Sequence, residues 1–264
     1  MKRFNFIVTA ALLAGVFSPA AAEDWRPLGG AGLPAAVSEF AVNPAVPVPA
    51  PAAARRLICV DPGHPNTFNS GLAPVNGTNE TRINWQVAVR LERVLREKGF
   101  DVMMTRSAEL QYVENKERAL LGNRSGAALC VHLHCESTPG TGFALYYPDR
   151  EGTYDYNDDP DNGFKGPVPL VRQRSLALAQ AVRKGMAAQL AGSLADRGLY
   201  GDSRTAVGGR QGALTFSIFS QIPTLTIEMA VLTNAADARF MKSEAGQEKM
   251  AQAIAAGIQL YQVP

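Results

Sequence analysis

Ile58-Cys59-Val60-Asp61-Pro62-Gly63-His64 and, further along, Leu129-Cys130-Val131-His132-Leu133-His134-Cys135 are the stretches whose reading decides the fold. Each is a short apolar run that gives way to polar residues at its C-terminal end, as a buried strand does where it leaves a sheet. In an open α/β sheet, ligands and reacting groups collect outside the carboxyl ends of the strands. The chain has three histidines in 264 residues, and His64, His132 and His134 all fall at these two strand ends. Such a distribution points to a transition-metal site.

Around these runs, strand and helix patterns alternate. Leu57 to Val60 reads as a strand. Ile83 to Lys98 carries apolar residues at helical spacing and stops at Gly99. Phe100 to Met104 reads as a strand, Val113 to Ser125 as a helix, and Ala128 to Leu133 and Gly142 to Tyr147 as strands. A long helix is expected over Leu170 to Leu194, a strand over Thr224 to Glu228, and one or two closing helices over Ala235 to Leu260. This alternation implies an α/β fold: a single domain built on a mostly parallel twisted sheet with helices on both faces. Pro148 to Pro169 breaks the rhythm with six acidic residues among Gly, Pro and Asn. It reads as a solvated acidic loop, and a loop of that length in a compact domain more often covers a site than fills space.

The first 22 residues read as an export signal: Lys2 and Arg3, an apolar stretch from Phe6 to Phe17, and Ala20-Ala21-Ala22 before Glu23. The apolar stretch is shorter than the roughly 20 residues that span a bilayer, so no integral membrane segment is expected once the signal is removed. Residues 23–55 are rich in Pro and Ala and read as an extended linker, leaving 56–264 as the catalytic domain. An exported, periplasmic or extracellular protein is the expectation. Without Lys2 and Arg3 the basic residues number 24 against 24 acidic ones, and that balance argues against a nucleic-acid partner. Of the three cysteines, Cys59 and Cys130 each sit in an apolar run just before a histidine, and they read as buried thiols on neighbouring strands.

Zinc accepts nitrogen and carboxylate ligands, and catalytic sites keep three protein ligands and an open position. Glu80 is the carboxylate candidate; it reads equally as an acid in a first helical turn, favoured by the positive helix end. Residues two apart on a strand share a face. His132 and His134 therefore both point to the site, or His132 is a core histidine and His134 alone a ligand. Glu228 ends the apolar run Thr224-Leu225-Thr226-Ile227, where a buried carboxylate needs compensation from a nearby metal and its water or from a buried arginine.

Together these residues resemble the zinc-dependent N-acetylmuramoyl-L-alanine amidases, the cell-wall hydrolase family called amidase type 3. The resemblance runs from about Leu57 to Tyr261. It rests on Asp-Pro-Gly-His at Asp61 to His64, on Glu80 with Asn84, and on Gly99, Val102, Thr105 and Arg106. Arg118, Asn123, the His132-Leu133-His134 strand end and Leu225 to Asn234 complete it. The resemblance implies a Zn2+ cofactor held by His64, Glu80 and His134, and a catalytic glutamate at Glu228. It also implies hydrolysis of the amide between N-acetylmuramic acid and L-alanine in peptidoglycan or muropeptides. An activator protein occurs with some relatives, whose active site is plugged by a long helix; Pro148 to Pro169 is too rich in Gly, Pro and Asp to form one, so at most a flap is expected there. Three departures stand out: His132 replaces a serine, Glu136 an asparagine, and Pro65-Asn66 a Gly-Gly pair. His132 is left with three roles: orienting substrate, holding a bond behind the ligands, or competing as a ligand. The rival readings are a zinc peptidase of the stem peptides and a non-catalytic peptidoglycan-binding protein.

Overall fold

The computed structural model describes residues 56–156 and 159–261. The expected export signal, 1–22, and the expected linker, 23–55, lie outside the described residues. Strand β1 (Leu57–Pro62) sets the architecture by alternation. Ile58 and Val60 enter a large apolar cluster on one side, while Cys59 enters a smaller cluster on the other and Asp61 follows it in the alternation.

The sheet is completed by β2 (Asp101–Met104), β3 (Leu129–Glu136), β4 (Phe143–Tyr147), β7 (Asp196–Gly201) and β8 (Thr224–Val231), in the order β2-β1-β3-β8-β4-β7. β2, β1, β3 and β8 run parallel, while β4 pairs antiparallel with β8 and parallel with β7. The expected mostly parallel sheet is thus present, with an edge of two reversed strands. β5 (Gly152–Thr153) and β6 (Lys165–Gly166) form a separate two-residue hairpin.

The large face is covered by α1 (Glu80–Glu97), α3 (Pro169–Leu190) and α7 (Glu244–Leu260), with α6 (Ala235–Lys242) at its end. Leu129, Val131 and Leu133 of β3 and Leu225, Ile227 and Met229 of β8 all point into this layer. The other face carries a thinner cover, mainly α2 (Asn115–Ser125) and α5 (Thr215–Phe219), beside the short α4 (Ala206–Gln211). Its smaller apolar area leaves room for polar side chains from the same strands.

Several boundaries differ from the pattern reading for local reasons. α1 begins at Glu80 rather than Ile83 because Asn79 caps it, its side chain accepting from the Arg82 N–H. The closing helical segment is two helices, since Ser243 caps α7 by accepting from Gly246 N–H. β3 continues to Glu136 and β8 to Val231, so His134 and Glu228 sit inside strands rather than at their last residue. β7 carries Gly198 and Gly201 and few apolar residues, which hid it from pattern reading.

The helical layer depends on one close approach. A Cβ on Gly257 of α7 would lie 2.4 Å from the Val182 Cα and 2.7 Å from its carbonyl oxygen on α3. Backbone atoms cannot swing aside as a side chain does. Gly257→Ala is therefore expected to force α3 and α7 apart and cost about 1–3 kcal/mol, read as a lower denaturation midpoint in urea.

Candidate metal centre and active site

The site lies on the thinly covered face. Asp61 and His132 are register partners on β1 and β3, and His134 and Glu228 are register partners on β3 and β8. Parallel pairing therefore brings residues from three separate stretches of sequence to one patch, before any loop contributes.

His64 reaches the patch from the turn after β1. Its backbone is left-handed, with φ 55, which is unusual for a residue with a Cβ. That turn is held from several sides. The Asn84 side-chain amide donates to the Gly63 carbonyl at 3.2 Å. Arg118 donates to the carbonyls of Pro62 and Pro65 at 2.7 and 3.0 Å, and Arg106 to Pro62 at 3.0 Å. Such over-determination is what lets a sparsely populated conformation persist at a functional site.

The proton positions of the candidate ligands follow from their neighbours. His64 Nδ1 lies 2.9 Å from the Asn69 carbonyl oxygen, which only accepts, so Nδ1 carries the hydrogen and Nε2 presents a lone pair. Nε2 is 3.3 Å from Glu80 Oε2. Glu80 Oε1 is 2.7 Å from His134 Nδ1 and also accepts the Cys135 N–H at 3.1 Å. One donor atom each from His64, Glu80 and His134 lies within 4.8 Å of the others. Glu80 is thus both the first residue of α1 and a member of the cluster; the two readings of it are compatible.

Electrostatics fit that grouping. Burial opposes the charge on Glu80, but His134 and His64 outweigh it and hold the carboxyl well below its usual range. Burial alone would lower His64, yet the hydrogen bond and charge of Glu80 raise it. His134 is pushed down to about 4, by burial first and then by His132. Glu228 is pushed well above the carboxylate range by burial, with the negative charges of Glu80 and Glu136 adding to it. Its Oε2 is buried without a hydrogen-bond partner, and Glu228 lines a cavity of about 280 Å³ together with His64, His134 and Tyr146. Among the described residues no arginine hydrogen-bonds Glu228; Arg197, whose charge offsets it in part, is bound to Glu136 instead.

The donor set satisfies a divalent cation. Two imidazole nitrogens and a carboxylate are the ligand chemistry of a zinc site with an open position, and the unpartnered Glu228 oxygen faces the same cavity.

The sequence departures are all structural participants. Asn66 accepts the N–H groups of Phe68 and Asn69 and donates to Asn115 at 3.3 Å, which shapes the rim beside His64. Glu136 pairs with Arg197 and accepts from the Tyr146 hydroxyl at 3.1 Å. His132 Nδ1 pairs with Asp61, and its ring stacks on Phe216 at 4.6 Å. Among its described residues the Pro148–Pro169 stretch forms no helix before α3 begins; it holds the β5–β6 hairpin, and Phe164 and Tyr154 pack on Phe219. Its Tyr156, with Phe68, walls a second cavity of about 640 Å³ next to the first. Cys59 and Cys130 are register partners, and Cys59, Cys130 and Cys135 are buried free thiols.

Asp61, Phe216 and Tyr146 were not singled out by sequence reasoning. A charged residue closing an apolar strand was a signal for Asp61; nothing marked the two aromatic residues before folding.

A mixed sheet with this helical cover and a His–Glu–His cluster that could hold a metal is the arrangement of a metal-binding α/β domain. Residues 58–260 match the family model described as N-acetylmuramoyl-L-alanine amidase (Amidase_3), and the chain belongs to that family. It is a hydrolase, an N-acetylmuramoyl-L-alanine amidase of peptidoglycan. It is 22% identical to the amidase AmiA of Escherichia coli K12 over 224 residues, covering 78% of this chain and 76% of that one. Among solved structures it resembles the apo form of the amidase Ami1 from Mycobacterium abscessus, with a TM-score of 0.62, 25% identity, and coverage of 78% of this chain and 98% of that one. The amidase AmiC2 of Nostoc punctiforme shares the fold with a TM-score of 0.60, 24% identity, and coverage of 78% and 96%.

Asp61 gives the site its pH limit. Burial disfavours its charge, but Arg118, His132 and Thr105 overcome this and hold the carboxyl well below its ordinary value of 3.8. A depressed carboxyl contributes stability that is complete above its unfolded value and is lost as pH falls below it. The denaturation midpoint is therefore expected to drop steeply from about pH 4 toward pH 2. Arg118→Met, which leaves the Asp61 charge buried without its main partner, should cost about 3–5 kcal/mol at neutral pH, measured by chemical denaturation.

Proposed function

We propose that this amidase is a zinc enzyme in which His64, Glu80 and His134 hold the metal and Glu228 is the general acid–base. One observation carries the reading: one donor atom each from His64, Glu80 and His134 lies within 4.8 Å of the others, and the unpartnered carboxyl of Glu228 lines the same cavity.

When bound, the zinc supplies Lewis acidity, which makes a water acidic near neutral pH and draws charge from the scissile carbonyl. The protein's residues do the rest. Glu228 takes the proton of the attacking water, which is easier once positive charge in the cavity favours its carboxylate form. It then delivers that proton to the departing amine of L-alanine. His64 and His134 are kept in the cluster by the Asn69 carbonyl and by contacts behind the site. Tyr146 Oη, bonded to Glu136 and pushed up to about 12 by burial and by that carboxylate, remains a neutral hydroxyl on the cavity wall. Its one hydrogen goes to Glu136, so its oxygen is placed to accept from a substrate N–H or O–H. The adjoining cavity walled by Phe68 and Tyr156 offers apolar faces for the sugar or peptide on one side of the cleaved bond.

Residues 1–22 are proposed as an export signal and 23–55 as a linker that leaves 56–264 free to act in the periplasm or outside the cell. The balanced charge of the mature chain and the cell-wall substrate of the family support this. Among the described residues no helix is long and apolar enough to cross a membrane.

Mass spectrometry of purified peptidoglycan incubated with the mature domain, with and without a zinc chelator, tests the reading. Release of intact stem peptides bearing a free L-alanine amine, abolished by the chelator and restored by zinc, is the expected result. Cleavage between amino acids would instead make the enzyme a peptidase. Glu228→Gln should retain its zinc content and lose about 10²–10⁴-fold in turnover; undiminished turnover would remove Glu228 from the mechanism.

A further inference from the structure

We propose that His132 is a positioning residue that sets which nitrogen of His134 meets the metal: it accepts the His134 Nε2 hydrogen and so turns the Nδ1 lone pair toward His64 and Glu80. The inference rests on the zinc reading above and concerns a side chain outside the ligand set.

The row of groups has one direction. Asp61 Oδ2 bonds His132 Nδ1, and a carboxylate under the charge of Arg118 and the hydroxyl of Thr105 only accepts. His132 Nδ1 therefore carries a hydrogen, and its Nε2 is the nitrogen turned toward His134. His132 Nε2 lies 2.7 Å from His134 Nε2. Of the two His134 nitrogens it is Nδ1 that faces Glu80, and a nitrogen that binds a metal carries no hydrogen; the His134 hydrogen then sits on Nε2, with His132 Nε2 as its acceptor. His134 Nδ1 itself lies 2.7 Å from Glu80 Oε1. With Nδ1 bare, a cation is what makes that pair attractive, and His134 and Glu80 both belong to the cluster that could hold a metal.

The position of His132 is built rather than incidental. Its ring is buried, lies flat on Phe216 with planes 4° apart, and is tied to a carboxylate that is itself fixed by a fully buried arginine. On the other side, a Cβ at position 63 would come 2.2 Å from His134 Nε2 and 2.6 Å from the Leu133 carbonyl oxygen, so Gly63 leaves the space in which the two imidazoles meet. Metal-binding histidines commonly donate their second N–H to a carboxylate or carbonyl. Here the carboxylate sits one imidazole further back, and His132 is the link. Its Nε2 is occupied by this bond, which separates it from the roles of substrate binder and rival ligand.

The test uses Zn2+ alone with the folded protein. Zinc affinity is measured by competition with a chromophoric chelator for the wild type, His132→Phe and His132→Gln. Phenylalanine keeps the stack on Phe216 and removes the acceptor; glutamine restores an acceptor oxygen. Zinc affinity should fall about 10–100-fold in His132→Phe and recover most of that loss in His132→Gln. Nitrogen-15 NMR of the zinc-loaded wild type should show His134 protonated at Nε2 and metal-bound through Nδ1. This spectrum decides the matter even if the phenylalanine variant does not fold. Unchanged affinity in a folded His132→Phe, or a His134 bound through Nε2, overturns the positioning role while leaving the metal site standing. A wild type whose zinc affinity does not respond to His64→Ala overturns both.

Discussion

The carboxylate of Asp61 is shut away from solvent and divided among three donors: the Arg118 guanidinium at 2.7 Å, the His132 imidazole and the Thr105 hydroxyl. A buried carboxylate without partners would cost several kcal/mol, so this group ties together the elements that supply them. Arg118 comes from α2, His132 from β3 and Thr105 from the end of β2. The same arginine also binds the carbonyls of Pro62 and Pro65. One charge pair thus fixes the end of β1, the turn that presents His64, and the ring behind His134.

The two faces of the sheet divide the labour. Alternate residues of β1, β3 and β8 build the thick apolar layer with α1, α3 and α7, which supplies most of the buried apolar area. The intervening residues, Asp61, His132, His134, Thr226 and Glu228, would be costly in such a layer. They are tolerated because their face is covered lightly and partly by polar loops, where cavities remain. A rigid scaffold on one side of the same strands and a polar, incompletely filled surface on the other is how the strands both stabilise the domain and hold a reacting centre within small tolerances.

How far the sequence was legible follows from the range of each signal. The parallel strands β1, β3 and β8 and the helix α1 show in hydrophobic periodicity because the pattern is local and repeats within a few residues. His64, His134 and Glu228 stood out because a polar residue closing an apolar run is costly unless it has a task, whereas Glu80 read equally as a first-turn acid and was singled out by the resemblance. β7 escaped because two glycines and a run of half-exposed residues erase alternation. The hairpin in the acidic stretch escaped because two-residue strands carry no period at all.

By itself the sequence determined the α/β class, the residues suited to a metal and the resemblance to a family, since these depend on residue type and short spacing. The resemblance already implied His134 as the ligand, but only the tertiary structure decided which partner each of the two histidines on β3 meets. Both share one face of one strand, so spacing treats them alike. What separates them is the partner met across the sheet: Asp61 in register beside His132, and Glu80 from α1 beside His134. Those partners arrive from distant stretches of chain, and a hydrogen bond's direction is set by the atom on its other side.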